Sequence, residues 1–400
     1  MKKIHILSLG FIIILACPLL GEEFFYKYRT GDRYRILSTV NEDVYINRSL
    51  SHTAEIVNRI AVEVINTAGN SASHKAVFQT AERAVGQNAG SGFQWSREYY
   101  SEFDRDRLGY LDIAEQYFMP VVRNVPVFPG KDLRPGEQWS APGYEVHDFR
   151  DSFGISEPYH IPFTANYTFL GTRPWKGKDY PSFSVSYRIL GEPARVQGRI
   201  WPRRIQGASD QTVYWDTDLG QAAAYEEYFR LIFELSDGRT VEYRGRAEAE
   251  ILEAPEMDKE KMADEINADI ERLNIPGVSA RVEETGVTIS IENIQFLPDS
   301  AILRPEEKQK LDKIIRILLQ YPDRDILVGG HTALAGTAAM RQVLSLERAQ
   351  GVADYLLEKR VRTPDRMVVQ GYGAERPLSD NATEAGRERN RRVEITILEN

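Results

Sequence analysis

Apolar and polar residues alternate along much of the chain from about Glu22 to Glu253. The pattern is clearest from Phe229 to Leu235, where every second residue is apolar, and it resumes from Val241 to Ile251 after Asp237-Gly238. A period of two around an Asp-Gly turn predicts a β-hairpin. Gly245 falls on the apolar side, which indicates a bend or a close approach. We predict that residues 22–253 form an antiparallel β-rich domain, either a sandwich or a half-barrel.

Aromatic residues and prolines are concentrated in the same segment. It contains all five tryptophans and seventeen of the twenty tyrosines, and eleven prolines fall between Pro120 and Pro202. Because proline cannot donate to a sheet ladder, unbroken membrane strands of roughly ten residues are hard to fit between them. A soluble domain is therefore favoured, with a membrane-spanning barrel as the alternative. The aromatic surplus fits a packed sheet core, or a cleft for lipid, glycan or peptide.

Helical spacing begins after Pro255. Met262, Ile266, Ile270 and Leu273 follow one another at intervals of four, four and three residues, which places one apolar stripe on a charged helix. We predict a helical linker over residues 254–275 that docks on a neighbouring domain.

Strand and helix patterns then alternate through residues 276–400. Strands are predicted at 287–291, 325–330, 367–370 and 392–398. Two helices are predicted between them, and Pro305 suits the first turn of the earlier one. Their apolar faces are formed by Leu311, Ile314, Ile315, Leu318 and Leu319 in the first helix, and by Ser345, Ala349, Val352 and Leu356 in the second. This alternation predicts an α/β domain with helices layered on a sheet.

Residues 1–21 have the layout of an export signal. Two lysines precede an apolar run from Ile4 to Leu20, which is short for a membrane span and has the right length for a signal core. Cleavage after Gly21 is the favoured outcome. The alternative is a lipoprotein box that ends at Cys17, with Cys17 acylated as a lipid anchor, although Pro18 directly after it weakens this interpretation.

Length, charge and cysteine content exclude several classes of protein. A chain of 400 residues suits two or three domains, and 42% hydrophobic with 27% charged residues is typical of a globular protein. The net charge of -9 argues against a nucleic-acid partner, which needs clustered positive charge. Cys17 is the only cysteine, so the chain has no internal disulfide and no cysteine-based metal site.

The sequence carries no enzyme signature. The six histidines show no metal-ligand spacing such as HExxH, and there is no Gly-x-Ser-x-Gly elbow. The stretch from Gly171 to Asp179 lacks the spacing of a phosphate-binding loop. We therefore expect no catalytic residues, no cofactor and no metal.

A dense set of short motifs lies between about Gly286 and Asn400. The motifs are Asn293-Ile294, Phe296, Asp299-Ser300-Ala301, Gly330-His331-Thr332, Leu344-Ser345-Leu346-Glu347-Arg348-Ala349, Gly371-Tyr372-Gly373, Asn381, Thr383, Gly386-Arg387 and Asn390-Arg391-Arg392-Val393-Glu394. Together they resemble the OmpA-like domain, which anchors bacterial envelope proteins to peptidoglycan. The resemblance implies helices layered on a mixed sheet.

The resemblance also implies a ligand pocket in which this chain departs from the family. In the family, a carboxylate directly after Gly-His-Thr and an arginine fifteen residues later hold the charged ends of diaminopimelate in the peptidoglycan stem peptide. Here the arginine is Arg348, the carboxylate position is Ala333, and Arg341 replaces a family asparagine. Thr332, Asn381 and Arg391 are further pocket candidates carried over from the motifs.

The missing carboxylate predicts weak binding. Leaving one charge of a desolvated pair without its partner costs ~2–5 kcal/mol, and each ~1.4 kcal/mol is a factor of ten in affinity. Two alternatives stay open: Asp380 or Glu384 from a neighbouring loop replaces the carboxylate, or the wall contains ornithine in place of diaminopimelate. Arg348 also fits an ordinary surface arginine.

The sequence thus predicts a non-enzymatic exported protein of the periplasm, associated with the outer membrane and cell wall. Its OmpA-like domain would tether or position it through peptidoglycan or an envelope protein. The alternative function is a periplasmic carrier whose β-rich domain holds a hydrophobic or peptide ligand, with the OmpA-like domain as a scaffold for protein interactions. A cleft lined by several tryptophans would favour the carrier, and a packed core would favour the tether.

Overall fold

The computed structural model describes residues 21–85, 93–197, 199–253, 257–296 and 301–399. The predicted export signal and Cys17 lie outside the described residues, and so do the motif residues Asp299 and Ser300. No helix in the described ranges combines the length and apolar character that a membrane crossing requires.

The described residues of the N-terminal domain form one antiparallel sheet of twelve strands. In chain order the strands are β1 (Arg33–Ile46), β2 (Ser49–Ala68), β3 (Ser71–Val85), β4 (Phe93–Asp106), β5 (Leu111–Ile113), β6 (Val122–Arg123), β7 (Gln138–His147), β8 (Tyr159–Trp175), β9 (Lys178–Gly191), β10 (Pro202–Asp216), β11 (Gln221–Leu235) and β12 (Thr240–Glu253), with a one-turn helix α1 (Arg150–Phe153) after β7. In the described residues each strand pairs with the next one along the chain, except β5 with β6, and β1 also pairs with β12.

The sheet curls until it nearly closes. The pairing runs from β5 through β4, β3, β2 and β1 to β12, and onward from β11 to β6. At the two ends, the amide of Leu111 in β5 donates to the Asn124 side chain, just after β6, over 2.9 Å. The predicted antiparallel β-rich class is confirmed, and its form is one curled sheet.

The predicted hairpin is formed by β11 and β12. Phe233 lies opposite Val241 and Leu231 opposite Tyr243, so the two apolar faces coincide. Gly245 lies opposite Phe229, and a Cβ atom on this glycine would be 2.3 Å from the Phe229 ring. The glycine therefore marks a close approach, one of the two predicted explanations.

The expectation that unbroken strands of about ten residues are hard to fit among the prolines is wrong. Strand β8 is seventeen residues long and contains Pro162 and Pro174, while β7 contains Pro142. Pro162 pairs with Tyr144 on β7 at a point where β8 has no partner on β9, and Pro142 has no partner on β6. Because each strand is paired on only one side at these positions, the missing N–H removes no ladder bond.

The interior of this domain is packed with aromatic side chains. Trp215 is fully buried, and its ring lies 4.7 Å from Phe128. Trp139 stacks on Tyr167 at 4.9 Å and donates its indole N–H to the Val127 carbonyl over 2.7 Å. This arrangement satisfies the polar end of the indole while its ring stays in the core.

The C-terminal domain places helices on a mixed sheet, as predicted. Its elements are α2 (Lys259–Arg272), β13 (Val278–Glu283), β14 (Gly286–Glu292), α3 (Pro305–Leu318), β15 (Ile326–Gly330), α4 (Ala338–Glu358), β16 (Met367–Gly371), α5 (Glu384–Asn390) and β17 (Arg392–Leu398), with a short 3-10 turn at Pro364–Arg366. The strand order is β13-β14-β17-β15-β16, and only the β15–β16 pair is parallel.

Three helices bury one face of this sheet. Ile266 of α2, Leu311 of α3 and Val352 of α4 are fully buried in one cluster with Ile289 and Ile395 of the strands. The helix predicted as a linker therefore docks on the C-terminal domain and contributes to its core.

The first helix differs from its prediction at one end. Pro305 is its first residue, as predicted, and most of the predicted apolar face is buried. Leu319, however, is 52% exposed, because the helix ends at Leu318 and Leu319 turns away from the core.

The opposite face of the C-terminal sheet contacts the N-terminal domain. Leu327, Val368 and Leu398 pack against three residues of the curled sheet, Val57, Ala81 and Phe93. The edge strand β16 also pairs in parallel with the start of β4. The two domains thus share a small apolar core and a short stretch of sheet.

Candidate functional site

The candidate site is built on the loop that follows β15. At Gly330 the strand passes so close to α4 that a Cβ atom would lie 1.9 Å from the Ser345 carbonyl oxygen, so only glycine fits. The amide of His331 donates to the Arg392 carbonyl over 3.0 Å, and the amide of Thr332 donates to the Gly373 carbonyl over 2.8 Å. These bonds hold the predicted motif loops together.

His331 serves the structure of the loop. Its ring is buried, stacks on Tyr372 at 5.0 Å, and its Nε2 lies 3.0 Å from an oxygen of Glu394. Burial lowers the pKa of His331, only partly opposed by Glu394, so the imidazole is neutral at pH 7. Burial raises the pKa of Glu394, but the contacts with His331 and Arg392 outweigh it and hold that pKa well below its usual range.

Ala333 occupies the position of the family carboxylate. It is 6% exposed, and its methyl group offers no hydrogen-bond acceptor. The next residue is held by Asn381, whose side-chain oxygen accepts from the Leu334 amide over 2.9 Å and from Asn390 over 3.1 Å. Asn381 therefore positions the loop, and its acceptor is already used.

Arg348 is a partly buried cation without a counter-charge. Its guanidinium lies over the Phe296 ring at 5.5 Å, and its Nε is buried without a hydrogen-bond partner. In the described part of the chain no carboxylate lies within ion-pair distance of it. Burial, together with the positive charge of Arg391, lowers the pKa of Arg348. Its surroundings therefore disfavour the charge that the side chain carries.

The two carboxylates considered as replacements contact other groups. Asp380 accepts from the Ala382 amide over 2.9 Å, as in a capping turn. Glu384 accepts from Arg387 and from Arg391, each over 2.7 Å. Arg391 is thus paired with Glu384. No described contact joins either carboxylate to Arg348.

Arg341 and Thr332 line the same loops. Arg341 donates from Nη1 to the Gly336 carbonyl over 2.6 Å, while its Nε is buried without a partner. The Thr332 hydroxyl is also buried and has no partner among the described atoms. Arg341 therefore folds back on its own loop and supplies no acceptor where the family has asparagine.

Three apolar side chains are exposed near the start of α4, and the sequence analysis did not predict their exposure. Leu334, Met340 and Val343 are 60%, 67% and 56% exposed at the start of α4 and in the loop before it. Their exposure could not be inferred because apolar residues at helical spacing are usually buried. The role of Phe296 under Arg348 was also missed, although Phe296 belongs to the quoted motifs.

No group of three His, Cys, Asp or Glu side chains is arranged as metal ligands within the ranges that the structure covers. At this site the forked guanidinium of Arg348 lies over the Phe296 ring. The neighbouring segments also contain the buried apolar residue Ala333 and the exposed apolar side chains of Leu334, Met340 and Val343. This arrangement suits binding of an oxyanion.

Comparison with known proteins identifies the domain. The model of the OmpA family matches residues 295–391. Outer membrane porin F of Pseudomonas fluorescens is 38% identical over 105 residues, covering 26% of this chain and 32% of that protein. The peptidoglycan-binding protein ArfA of Mycobacterium tuberculosis is 36% identical over 104 residues, with the same coverage of 26% and 32%. The chain thus spans about a third of the length of these two curated relatives.

Among solved structures, an outer membrane protein from Borrelia burgdorferi B31 is 30% identical. That likeness covers 30% of this chain and 96% of the other chain, with a TM-score of 0.25. The family predicted from the sequence motifs is confirmed, and residues 295–391 of this chain are an OmpA-family domain.

Proposed function

We propose that this chain is a non-enzymatic envelope protein whose OmpA-family domain tethers or positions it at the peptidoglycan and outer membrane, with weakened or altered peptidoglycan binding. The names of its relatives, an outer membrane porin and a peptidoglycan-binding protein, support the location and the ligand class. Two observations carry the altered binding: the Nε of Arg348 is buried without a partner among the described residues, and Ala333 places a buried methyl group at the family's carboxylate position.

The chemistry of the ligand explains why this matters. Diaminopimelate presents an ammonium and a carboxylate, and a pocket that holds both needs an anion and a cation. Arg348 supplies the cation, while Ala333 leaves the ammonium without an acceptor. Since an unpaired charge at a desolvated contact costs ~2–5 kcal/mol, the affinity falls by a factor of about thirty to several thousand.

The packing of the N-terminal domain supports the tether over the carrier. Two of the tryptophans expected to line a ligand cleft are in the aromatic core, with Trp215 fully buried and Trp139 stacked on Tyr167. Trp175 packs against Tyr214 at 4.7 Å. A hydrophobic ligand inside this aromatic core would have to displace these contacts. The side chain of Trp95 is outside the described residues.

Sedimentation with purified peptidoglycan tests the proposal. We expect the wild-type protein to stay largely in solution with a wall that contains diaminopimelate. Ala333→Asp restores the acceptor beside Arg348, so this variant is expected to pellet with the same wall, with at least thirty-fold higher affinity. Adding Arg348→Ala to Ala333→Asp should abolish the gain, because the restored pocket needs both charges.

A matched control uses an exposed arginine of α3. Arg316 is solvent-exposed and distant in sequence from the pocket loops, so Arg316→Ala should leave sedimentation of the Ala333→Asp protein unchanged. Strong wild-type binding that is lost in Arg348→Ala would overturn the weakening and point to a different acceptor for the ammonium. Binding to a wall with ornithine alone would show altered specificity.

A further inference from the structure

A cleft of about 620 Å³ opens at one end of the curled N-terminal sheet. It is lined by the segment that precedes β1, by the end of β4 and by the turn between β10 and β11, including Tyr26, Tyr28, Tyr34, Arg105 and Asp218. Three tyrosines and one arginine of this set lie close together. They form a polar group at the edge of the aromatic core, which we call the Arg105 cluster (Tyr26, Tyr28, Tyr34, Arg105).

The tyrosines hold the Arg105 side chain on two sides. The Nε of Arg105 donates to the Tyr28 hydroxyl over 3.0 Å, and Nη2 donates to the Tyr34 hydroxyl over 3.2 Å. The Tyr26 ring covers one face of the guanidinium at 4.1 Å. Tyr28 in turn donates its hydroxyl hydrogen to the Asp106 carbonyl over 3.0 Å. These contacts fix the plane of the guanidinium in one orientation.

Arg105 has no carboxylate partner. In the part of the chain that the structure describes, no acidic side chain lies within ion-pair distance of its guanidinium. The imidazole of His74 lies nearby and is uncharged, because burial, reinforced by the charge of Arg105, lowers the pKa of His74 to about 3. Removing a cation from bulk water without a counter-charge costs free energy, so a bound anion would stabilise this arrangement.

The unused hydrogen-bond donors point to the kind of anion. Of the five N–H bonds of a guanidinium, one on Nε and one on Nη2 are used here, so two on Nη1 and one on Nη2 are free among the described contacts. Those two nitrogens form the edge that donates hydrogen bonds to both oxygens of a carboxylate or phosphate. The Tyr34 hydroxyl accepts from Arg105, and its own hydrogen has no described acceptor.

We propose that the Arg105 cluster binds a single carboxylate or phosphate group, with the Nη1/Nη2 edge of Arg105 and the Tyr34 hydroxyl as donors. Lys27, Arg29 and Arg33 add positive charge to the lining, whereas Asp32, Glu63 and Asp218 add negative charge. This mixed lining favours a ligand with one isolated oxyanion over a polyanion. The proposal concerns the N-terminal domain and does not depend on how the OmpA-family domain binds the wall.

Calorimetric titration of the purified protein with sodium phosphate and with sodium acetate tests the site. The ionic strength is held constant and the buffer contains no other oxyanion. We expect saturable binding of at least one of the two anions by the wild-type protein. Binding of phosphate alone identifies a phosphate-bearing ligand, and binding of acetate alone identifies a carboxylate.

Three variants separate a built site from general attraction of anions. Arg105→Gln should abolish binding, and Tyr34→Phe, which keeps the ring and removes one donor, should weaken it at least fivefold. Arg107→Gln is the control, since Arg107 carries the same charge two residues away, faces Glu23 at 3.6 Å and lies outside the cleft lining. It should bind like the wild type.

The proposal is overturned if neither anion binds to the wild type. It is also overturned if Tyr34→Phe binds as tightly as Arg107→Gln. If Arg105→Gln does not fold, Tyr34→Phe still decides the question, because it loses only a hydroxyl group.

Discussion

Single residues decide the chemistry of the pocket around Arg348 and of the Arg105 cluster. Sequence analysis located only the first of these two sites. The positions of Ala333 and Arg348 follow from motif spacing, so their mismatch could be predicted. The burial of Ala333 and the ion pairs of Glu384 with two arginines could not be predicted, because both depend on how three loops pack together. Arg105 carries no motif signal at all, since its partners precede it by more than seventy residues.

A half-buried carboxyl in the N-terminal sheet predicts a dependence of stability on pH. Burial, and then the negative charge of Glu82, raise the pKa of Glu42 to about 7. Because this pKa is higher in the folded than in the unfolded chain, the free energy of unfolding falls as the pH rises from about 4.5 to about 7. Glu42→Gln removes the ionisation and should stabilise the protein at pH 8, by on the order of 1 kcal/mol after solvent screening.

Urea denaturation of the wild type and of Glu42→Gln at pH 5 and pH 8 measures this effect. The stability difference between the two proteins should grow with pH, because the carboxyl is mostly protonated in the fold at pH 5 and ionised at pH 8. An equal difference at both values would show that Glu42 ionises alike in the folded and unfolded chains.

Among the secondary-structure elements, α3 shows where the spacing of apolar residues predicts burial correctly and where it does not. Leu318 and Leu319 were both assigned to its apolar face, yet Leu318 is 0% and Leu319 52% exposed. We expect Leu318→Ala to lower the free energy of unfolding by about 2–5 kcal/mol, since it leaves a cavity in the core. Leu319→Ala is the matched control and should stay within about 0.5 kcal/mol. Equal losses measured by urea denaturation would contradict this burial.

Other elements had a weaker signal. Strand β13 was not predicted, because its sequence alternates without a clear apolar face: Ala280 is buried while Val282 is 41% exposed. The hairpin of β11 and β12 was predicted since an apolar face and an Asp-Gly turn agree there. The long strands β2 and β3 contain charged residues among their apolar ones. The length of these strands therefore could not be predicted from the spacing of apolar residues.

At the scale of the whole molecule, the sequence did not reveal that the sheet of the OmpA-family domain is covered on both faces. In β17 polar residues alternate with Val393, Ile395 and Ile397, a pattern typical of a strand with one face open to solvent. Glu394 and Thr396 are buried instead, and the Thr396 hydroxyl pairs with Thr288 over 2.7 Å. The covering residues of the N-terminal domain lie more than two hundred positions earlier, beyond the reach of local patterns.

The contact between the domains includes one buried ion pair. Arg59 of β2 donates from Nε to Asp325 over 2.8 Å, and both side chains are 4% exposed. Asp325 also accepts from Arg366 over 2.8 Å. Burial raises the pKa of Asp325, but the charges of Arg59 and Arg366 outweigh it, so the net pKa is lowered. The pair therefore stabilises the docked state at neutral pH and loses its effect when Asp325 is protonated in acid.

Removing Arg59 should uncouple the two domains. Arg59→Ala leaves Asp325 buried with one partner fewer, a change that typically costs about 3–5 kcal/mol. Since the shared apolar core is small, we expect calorimetric unfolding to separate into two transitions and protease cleavage between residues 253 and 259 to become faster. Arg33→Ala on the neighbouring strand β1 disrupts the half-exposed pair with Glu63 of β2 and should leave a single transition. One unchanged cooperative transition in Arg59→Ala would mean that the β4–β16 pairing and the apolar contacts suffice to couple the domains.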